Sequence, residues 1–481
     1  MGGLKIVFVA SEMSPFAKTG GLADVVGSLP VSLSQLGHQV SVIMPKYSSI
    51  KANMELFHSP MGVWMGDKQE WCGVYKTEYN GISVYFIEHN IFFDRDGLYH
   101  DRNMNDYEDN PKRFAFLSRA AMQLCIDKGY SPDIFHVNDW QTALLPAYLK
   151  NWDIKGTSIQ NAKSVLTIHN MAYQGNYPKS NVEYLGIGWG NFTYEKFEEN
   201  DRINMLKGGI FYSDFVNTVS PTYAYEVTNG NGYGLDTALR NKGEYFSGII
   251  NGADYNIWNP EIDKYIKDNY SKYDMSGKWR CKGKLQDIFG LESNYTVPIF
   301  GAVGRFTSQK GYNLIASIAE GLMNQTSIQI AILGTGDKDL EGFFSYMAQK
   351  YPGRFGCRIE FNEKTAHLLE AGSDFFLMPS LFEPCGLNQI YSLKYGTLPI
   401  VRNTGGLRDT VINCNEFENY GTGFIFNDFT PDALYNTILW AYKIYHTRPD
   451  LMGKMRYDAM CQDFSWIRSA KEYERIYRKI L

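Results

Sequence analysis

The stretch Lys18-Thr19-Gly20-Gly21-Leu22 stands where a predicted strand gives way to a predicted helix near the N-terminus. Upstream, residues 4–10 form a short apolar run rich in β-branched side chains, which indicates a buried strand. Downstream, apolar residues recur at helical spacing as far as Gly37, where the helix is predicted to end. Adjacent glycines let a ligand approach the backbone, the free N–H groups of a helix start suit phosphate, and Lys18 adds a mobile positive charge. The same glycines could simply form a tight turn, and the stretch is neither the dinucleotide pattern nor a P-loop.

Length and composition narrow the class of protein. A chain of 481 residues is too long for one core, so two domains are expected. The net charge is −5, without an extended basic run, which argues against a nucleic-acid partner. The seven cysteines include no CxxC pair, so neither a disulfide framework nor a zinc site is predicted. We also find no signal-peptide pattern and no apolar run of the ~20 residues that a membrane span needs.

Strands and helices alternate through the first half of the chain. Polar residues repeatedly follow the predicted strands, among them Asn138-Asp139 and His169-Asn170. This pattern predicts a doubly wound parallel sheet with ligands bound outside the carboxyl ends of its strands. The strands predicted after the first helix are 40–45, 81–87, 133–137, 164–168, 215–220 and 247–252.

A polar interval from Asn251 to Pro298 predicts a domain boundary, after which the alternation restarts. Near the end, Ser465 is a good helix N-cap, and the residues after it form one apolar stripe. The predicted domains are therefore 1–255, rejoined by a C-terminal helix at 462–481, and 256–461. The strands predicted in the second half are 297–303, 328–333, 374–379 and 397–401.

Two loops of the second half carry candidate chemistry. Arg305 and Lys310 lie five residues apart in a Gly-bounded turn, where two cations could neutralise a diphosphate or could simply be solvated. Glu383 follows a strand and could accept hydrogen bonds from sugar hydroxyls, or could only favour the next helix N-terminus. A third interpretation of this loop concerns Cys385, whose thiol could be a thiolate nucleophile at the same helix start. It is the weakest of the three interpretations.

Two residues of the first half are also candidates. His169 could be a base, a metal ligand or a structural histidine, and Asp139 could be a functional acid or a turn residue. No HxxxH pair or carboxylate cluster has the spacing of metal ligands, so no tight metal site is predicted.

Taken together, the motifs resemble the glycogen and starch synthases over essentially the whole chain, in the order and context of that family. Each motif alone is weak, whereas nine in register are highly specific. The motifs are Lys18 to Val25, Tyr107-Glu108-Asp109-Asn110 with Arg113-Phe114, His136 to Trp140, Thr167 to Asn170, Asn251 to Asp254, Gly304 to Gly311, Glu383 to Leu387, Thr404 to Leu407, and Asp463 to Trp466.

The resemblance implies a GT-B fold, in which two Rossmann-like domains face each other across a cleft and close on the donor, and the last helix returns to the first domain. It implies transfer of glucose from ADP-glucose to the non-reducing end of an α-1,4-glucan, with retention at the anomeric carbon and without a metal or cofactor. The implied location is the cytoplasm, or the plastid stroma or starch granule in a plant or alga. No membrane or nucleic-acid partner and no particular oligomeric state are implied.

The resemblance also implies roles for residues of this sequence. Phe361 falls where the family places an aromatic ring against adenine, and Arg305 and Lys310 would hold the diphosphate. The implied catalytic residues are Arg305, Lys310, Glu383, His169 and Asp139. The implied donor-binding residues are Lys18, Gly20, Gly21, Asn251, Gly334, Phe361, Cys385, Gly386, Leu387, Thr404, Gly405 and Gly406. The implied acceptor-side residues are Tyr99, Trp140 and Asn170.

One position departs from a wider pattern. Related retaining transferases of this fold carry Glu-x7-Glu, but Tyr391 stands eight residues after Glu383. No pair of carboxylates can be nominated for a double displacement, so we expect front-face attack in which the departing phosphate takes the acceptor proton. Two other functions stay open from the sequence: a transferase that uses UDP-glucose, and an inactive homologue that binds glucan in granule assembly.

Overall fold

The computed structural model describes residues 2–481 and divides into two compact units. Unit 1 runs to Gly252 and resumes with Trp466–Leu481, and unit 2 is Ala253–Ser465. The sequence placed these boundaries after residues 255 and 461, whereas the structure places them after 252 and 465. Among residues 2–481, no helix is both long and apolar enough to cross a membrane.

The main sheet of unit 1 has nine strands in the order β12-β11-β7-β6-β1-β2-β5-β4-β3. Seven of them, from β12 to β5 in that order, pair in parallel, as the strand–helix alternation predicts. A second, small sheet has the order β8-β10-β9. The strands of unit 1 are β1 Lys5–Val9, β2 Gln39–Pro45, β3 Glu55–Met65, β4 Lys68–Tyr79, β5 Ile82–Glu88, β6 Ile134–Asn138, β7 Lys163–Ile168, β8 Asn176–Pro178, β9 Glu198–Glu199, β10 Arg202–Asn204, β11 Phe215–Thr218 and β12 Phe246–Gly248.

The antiparallel hairpin β3–β4 was not predicted. One face of it is buried through Met61, Val63 and Met65, while the residues between them face solvent. This alternation is the signal of a half-buried strand, and Gly66 marks the turn. The signal was present in the sequence but is weaker than the continuous apolar runs of the parallel strands.

Helices cover the strands of unit 1. The first helix ends just before Gly37, whose φ of 92° is the left-handed conformation that suits glycine, as predicted. The helices are α1 Gly21–Gln35, α2 Asn90–Phe93, α3 Asn110–Asp127, α4 Asp139–Thr142, α5 Leu145–Asn151, α6 Val182–Leu185, α7 Met205–Tyr212, α8 Pro221–Thr228 and α9 Asp236–Arg240.

Unit 2 has one parallel sheet of six strands in the order β15-β14-β13-β16-β17-β18. The two edge strands of this sheet, β15 and β18, were not predicted. The strands are β13 Ile299–Val303, β14 Gln329–Gly334, β15 Phe355–Ile359, β16 Phe375–Met378, β17 Leu398–Arg402 and β18 Phe424–Phe426. The helices are α10 Ser276–Phe289, α11 Tyr312–Gln325, α12 Lys338–Lys350, α13 Glu363–Gly372, α14 Asn388–Lys394, α15 Gly405–Thr410, α16 Pro431–Thr447 and α17 Pro449–Met460.

The last helix, α18 (Trp466–Ile480), returns to unit 1 and packs against α1. A buried chain of hydrogen bonds joins it to the sheet. Tyr477 pairs with His136 Nδ1 at 2.7 Å, His136 Nε2 pairs with the Thr167 hydroxyl at 2.6 Å, and Thr167 donates to Asn217 at 2.8 Å. Because the Thr167 proton goes to Asn217, His136 Nε2–H donates to Thr167 and Nδ1 accepts from Tyr477. The apolar stripe predicted after Ser465 is therefore an internal face of unit 1.

Both parallel sheets have the doubly wound strand order, so the two Rossmann-like domains of the predicted fold class are confirmed. In each sheet the order of connection reverses once, between β1 and β6 in unit 1 and between β13 and β16 in unit 2. Ligands of such sheets bind outside the carboxyl ends of the strands at this point. The loops that follow these four strands are therefore where the candidate residues have to be found.

Candidate active site

In unit 2, the loops after β13 and β16 meet through an ion pair. Lys310 Nζ donates to Glu383 Oε2 at 2.6 Å, and the Ser380 hydroxyl donates to the same oxygen at 3.2 Å. Glu383 is only 5% exposed, so its charge needs such partners. Two residues 73 positions apart in the sequence are thus in contact at the switch point of this sheet.

Arg305 lies on the same loop after β13, five residues before Lys310. Its side chain is exposed, and it forms no hydrogen bond or ion pair with the residues that the structure describes. The guanidinium can therefore take an anion without breaking an existing contact. Of the two cations that the sequence singles out, one is bound to Glu383 and the other is available.

Glycines hold the loop after β17 against this site. Gly405 has a φ of 45°, and a Cβ there would lie 1.9 Å from the Glu383 carbonyl oxygen. A Cβ on Gly406 would lie 2.2 Å from the Cys385 carbonyl oxygen, and the Gly406 N–H donates to the Glu383 carbonyl at 3.1 Å. These two glycines are required by close backbone packing, which fixes the peptide segment that carries Glu383.

The remaining donor candidates of unit 2 lie at the carboxyl ends of its strands or beside them. Gly334 ends β14 with a φ of 158°, and a Cβ there would lie 1.9 Å from the Gly304 carbonyl oxygen. Phe361 follows β15 and is 93% exposed, so its ring is free to stack. Cys385 and Thr404 are buried, and Gly386 has a φ of 74°. Leu387 directly precedes α14.

Tyr391, at the position of the departure from Glu-x7-Glu, belongs to a stack that the sequence analysis did not find. Its ring lies parallel to that of Trp258, with centroids 4.1 Å apart, and Trp258 stacks in turn on His367 at 3.7 Å. His367 is fully buried and contacts Asp263 at 2.7 Å. More than a hundred residues separate His367 from Trp258 and Asp263 in the sequence, so no local pattern predicted these contacts.

In unit 1, Asp139 follows β6 at the switch point in a strained conformation. Its φ of 53° is rare for a residue other than glycine, and the Asp139 carboxylate accepts the His169 backbone N–H at 2.7 Å. Burial raises the pKa of Asp139 to about 7, while the N–H groups of His169 and Asn170 act in the opposite direction. The structure thus shows Asp139 as a residue of the turn after β6, and its role as a functional acid stays a prediction.

His169 follows β7 beside Asp139. Its ring Nε2 lies 3.1 Å from Asn138 Oδ1, and Asn138 uses its amide N–H to donate to the Val9 carbonyl. Burial lowers the pKa of His169 to about 3, so the ring is neutral near pH 7. A neutral ring with Nε2–H donating to Asn138 is positioned by its neighbours and carries no charge of its own.

The stretch Lys18 to Leu22 is bound by a residue that the sequence analysis missed. The Glu12 carboxylate accepts the Thr19 N–H at 2.5 Å, the Thr19 hydroxyl at 2.6 Å and the Gly20 N–H at 3.3 Å. Lys18 pairs with Asp24 at 2.6 Å, and its side chain is half exposed, so its role as a mobile positive charge stays a prediction. The N–H groups of Thr19 and Gly20 are likewise occupied, and only those of the first helical turn stay available to a ligand.

The two glycines of this stretch are not required by the fold. Gly20 is extended, with a φ of −153°, and a Cβ at Gly20 or Gly21 would have no atom within 4 Å. Gly405 and Gly406 show the opposite, because a side chain there would collide with backbone. The open space at Gly20 and Gly21 fits the interpretation that they leave room for a ligand, and a tight turn does not explain them.

The other candidates of unit 1 are mostly engaged. Tyr99 donates to Glu12 at 2.6 Å, and Trp140 is only 7% exposed. Asn170 accepts the Ala172 N–H at 3.0 Å. Asn251 is 6% exposed, and its Oδ1 is buried without a hydrogen-bond partner among the described residues. A buried acceptor in this state can receive a hydroxyl proton from a ligand. Among residues 2–481 no group of three or more His, Cys, Asp and Glu side chains is placed to hold a metal ion.

Comparisons with known proteins agree with this arrangement. Residues 5–241 match the family described as the starch synthase catalytic domain, and residues 284–456 match glycosyl transferases group 1. Glycogen synthase 1 of Geobacter sulfurreducens is 45% identical over 99% of this chain and 96% of its own length. The glycogen synthase of Treponema denticola is 42% identical over 98% of each.

A solved structure is also similar. The catalytic domain of starch synthase IV from Arabidopsis thaliana, bound to ADP and acarbose, aligns with a TM-score of 0.91 at 31% identity and covers 99% of both chains. The likeness extends over both units.

The raised pKa of Asp139 predicts a pH-dependent stability. Because the folded-state pKa of about 7 lies above the ordinary value of 3.8, the stability that protonated Asp139 contributes is complete below pH 3.8 and is lost as the pH rises to about 7. Asp139→Asn stays neutral and tolerates a positive φ. We expect its free energy of unfolding, relative to the unchanged protein, to rise over this interval and then level off.

Urea unfolding at about pH 5, 6, 7 and 8 measures this difference. Asp67→Asn, in the exposed β3–β4 turn, is the control and should show a constant difference. A constant difference for Asp139→Asn would contradict the raised pKa.

Proposed function

The chain belongs to the glycogen and starch synthase family, and on that premise we propose that it transfers glucose from ADP-glucose to the non-reducing end of an α-1,4-glucan with retention at the anomeric carbon. The observation that carries the proposal is the contact of Lys310 with the buried Glu383 at the switch point of unit 2. The exposed Arg305, on the same loop as Lys310, has no partner among residues 2–481. The structurally similar plant enzyme was solved with ADP and acarbose, a nucleotide and a glucan-like inhibitor, which supports these substrate classes.

The two cations have separate tasks in this proposal. Arg305, which has no partner among the described residues, binds the diphosphate first. Lys310 shares its protons between Glu383 and the diphosphate, and stabilises the negative charge that develops as the bond from the anomeric carbon to the phosphate oxygen breaks. Positive charge fixed before the reaction costs no reorganisation during it.

Glu383 binds the transferred glucose. Its carboxylate has two oxygens, of which Oε2 is shared by Lys310 and Ser380. The other oxygen can accept sugar hydroxyls. In unit 1, we assign two groups to the donor sugar. They are the Oδ1 of Asn251, which has no hydrogen-bond partner in the described part of the chain, and the Asp139–His169 pair.

The mechanism is assigned from the carboxyl groups that the site offers. A double displacement needs two carboxyl groups, one of them a nucleophile, and we assign no such pair here because Tyr391 stands where related transferases carry a second Glu. We therefore assign front-face attack: the acceptor hydroxyl forms a bond to the anomeric carbon, the bond to ADP breaks, and the departing phosphate takes the hydroxyl proton. Detection of a glucosyl adduct on Glu383 or Asp139 would overturn this assignment.

The donor and acceptor are tested directly with radiolabelled ADP-, UDP- and GDP-glucose, each with glycogen and with maltotriose. We expect incorporation from ADP-glucose to exceed that from the other donors, with the exposed Phe361 ring stacking on adenine. Greater incorporation from UDP-glucose than from ADP-glucose would show that UDP-glucose is the donor instead. Glycogen binding without incorporation from any donor would favour an inactive glucan-binding homologue.

Removal of the Lys310 charge should affect turnover and not glucan binding. We expect Lys310→Ala to lower kcat by roughly 10²–10³, the cost of losing one stabilising group at a developing charge. Lys310→Gln is a second variant that keeps a hydrogen-bond donor to the buried Glu383. Lys338→Ala, on a side chain that is 86% exposed in the same unit, is the control. Equal losses of turnover and of glycogen binding in both Lys310 variants would contradict the role of Lys310.

The two glycine pairs should respond differently to one added methyl group. Gly21→Ala has room for its Cβ at the start of α1, so the melting temperature should not fall, but KM for ADP-glucose should rise by about tenfold if a phosphate approaches this backbone. Gly406→Ala should lower the melting temperature by several degrees, because its Cβ would collide with the Cys385 carbonyl at a cost of about 1–3 kcal/mol. An unchanged KM in Gly21→Ala would contradict the assignment of residues 18–22 to the donor site.

A further inference from the structure

Two tryptophans on the β3–β4 hairpin lie outside the site described above and face solvent. Trp64 is 51% exposed and Trp71 is 57% exposed. In the hairpin register Trp64 lies opposite Gln69, and Trp71 lies opposite Gly62. Side chains alternate between the faces of a strand, so these four residues share one face, with the two tryptophans as diagonal neighbours. We call this surface the tryptophan face.

The opposite face of the hairpin holds the tryptophan face in place. Met61, Val63 and Met65 are buried, and α3 packs against β3. His58 of β3 contacts Asp127 at the end of α3 at 3.0 Å. The hairpin is therefore anchored on its inner side, and the two indole rings are displayed on an ordered support.

The chemistry of the tryptophan face is apolar with one amide. A Cβ on Gly62 would lie 2.5 Å from Gln69 Nε2 and 3.2 Å from the Trp71 ring, so both side chains lie over bare backbone. No Asp, Glu, Lys or Arg stands at any of its four positions. Such a surface complements a neutral ligand that has apolar patches and hydrogen-bonding groups.

The size and edge of the hairpin argue against a protein partner. Aromatic side chains bury about 150–250 Å² each, and half of that for two rings is on the order of 200 Å², compared with about 800 Å² per partner in a stable protein interface. β3 is the last strand of the sheet, but Pro60 and two register shifts interrupt its edge. Pairing with the edge of a second copy is disfavoured by both features.

We propose that the tryptophan face binds a segment of α-1,4-glucan, the C–H faces of successive glucose rings stacking on Trp64 and Trp71 and hydroxyls bonding to Gln69. The identity of the polymer rests on the proposed function. β3 is four strands from β1 in the sheet, about 19 Å at the usual strand spacing, so the bound segment is separate from the chain end that reacts.

A second attachment of the same polymer raises the local concentration of its chain ends. The tryptophan face should thus lower KM for glycogen, which is long enough to reach it and the reaction site together. It should not change kcat, and it should have no effect on maltotriose, which is too short to span about 19 Å.

The test uses the full chain with Trp64→Ala and Trp71→Ala combined. In native gels that contain glycogen, we expect retardation to weaken by about tenfold in apparent affinity, with a similar rise in KM for glycogen and unchanged kinetics with maltotriose. The double Trp→Phe variant should restore most of the retardation. Phe417→Ala, on an unrelated ring that is 97% exposed in unit 2, is the matched control.

Three results would overturn the proposal. They are wild-type retardation and KM in the double alanine variant, an equal loss of maltotriose activity, and stronger retardation of the unchanged protein by a β-linked glucan than by glycogen. Failure of the proposed function is distinguished from these results. In that case the unchanged protein transfers no glucose, and the gel comparison still decides whether the tryptophan face binds glucan.

Discussion

The ion pair of Lys310 with Glu383 is the contact on which the proposed donor site depends. A carboxylate that is 5% exposed is stable only when its charge has partners, and here Lys310 and the Ser380 hydroxyl provide them. The pair also fixes the geometry of two loops whose strands adjoin in the sheet, after β13 and after β16. In the proposed mechanism, the group that stabilises these folded loops, Lys310, is also the group that stabilises the leaving phosphate.

In unit 1, burial changes the pKa values of the candidate residues Asp139 and His169. It raises the pKa of Asp139 to about 7 and lowers that of His169 to about 3, so near pH 7 the His169 ring is neutral and the Asp139 carboxyl is partly protonated. A positive φ at Asp139 and the N–H of His169 keep the carboxyl in one orientation. These groups can bind sugar hydroxyls without first losing a shell of water, which is the advantage of a site whose dipoles are fixed in advance.

Much of the fold could be predicted from local pattern, whereas contacts between distant residues could not. Apolar runs and Gly37 were enough to find most of the parallel strands and the end of α1, and polar residues placed after strands singled out Asp139, His169 and Glu383 as candidates. Glu12 was missed because its hydrogen-bond partners lie in a loop and at Tyr99, which is 87 residues away in the sequence. The pairing of Lys18 with Asp24 was missed because a spacing of six residues in the sequence does not show that the two side chains are in contact. The β3–β4 hairpin was missed because a half-exposed strand has only a weak pattern.

The reaction itself is tested most directly by following ADP-glucose and maltotriose with the purified protein by proton NMR. The account predicts that the α-anomeric signal of ADP-glucose is replaced by the signal of a new α-1,4 linkage, with ADP released in equal amount. A β-anomeric product, or release of free glucose without a new linkage while ADP accumulates, would contradict it.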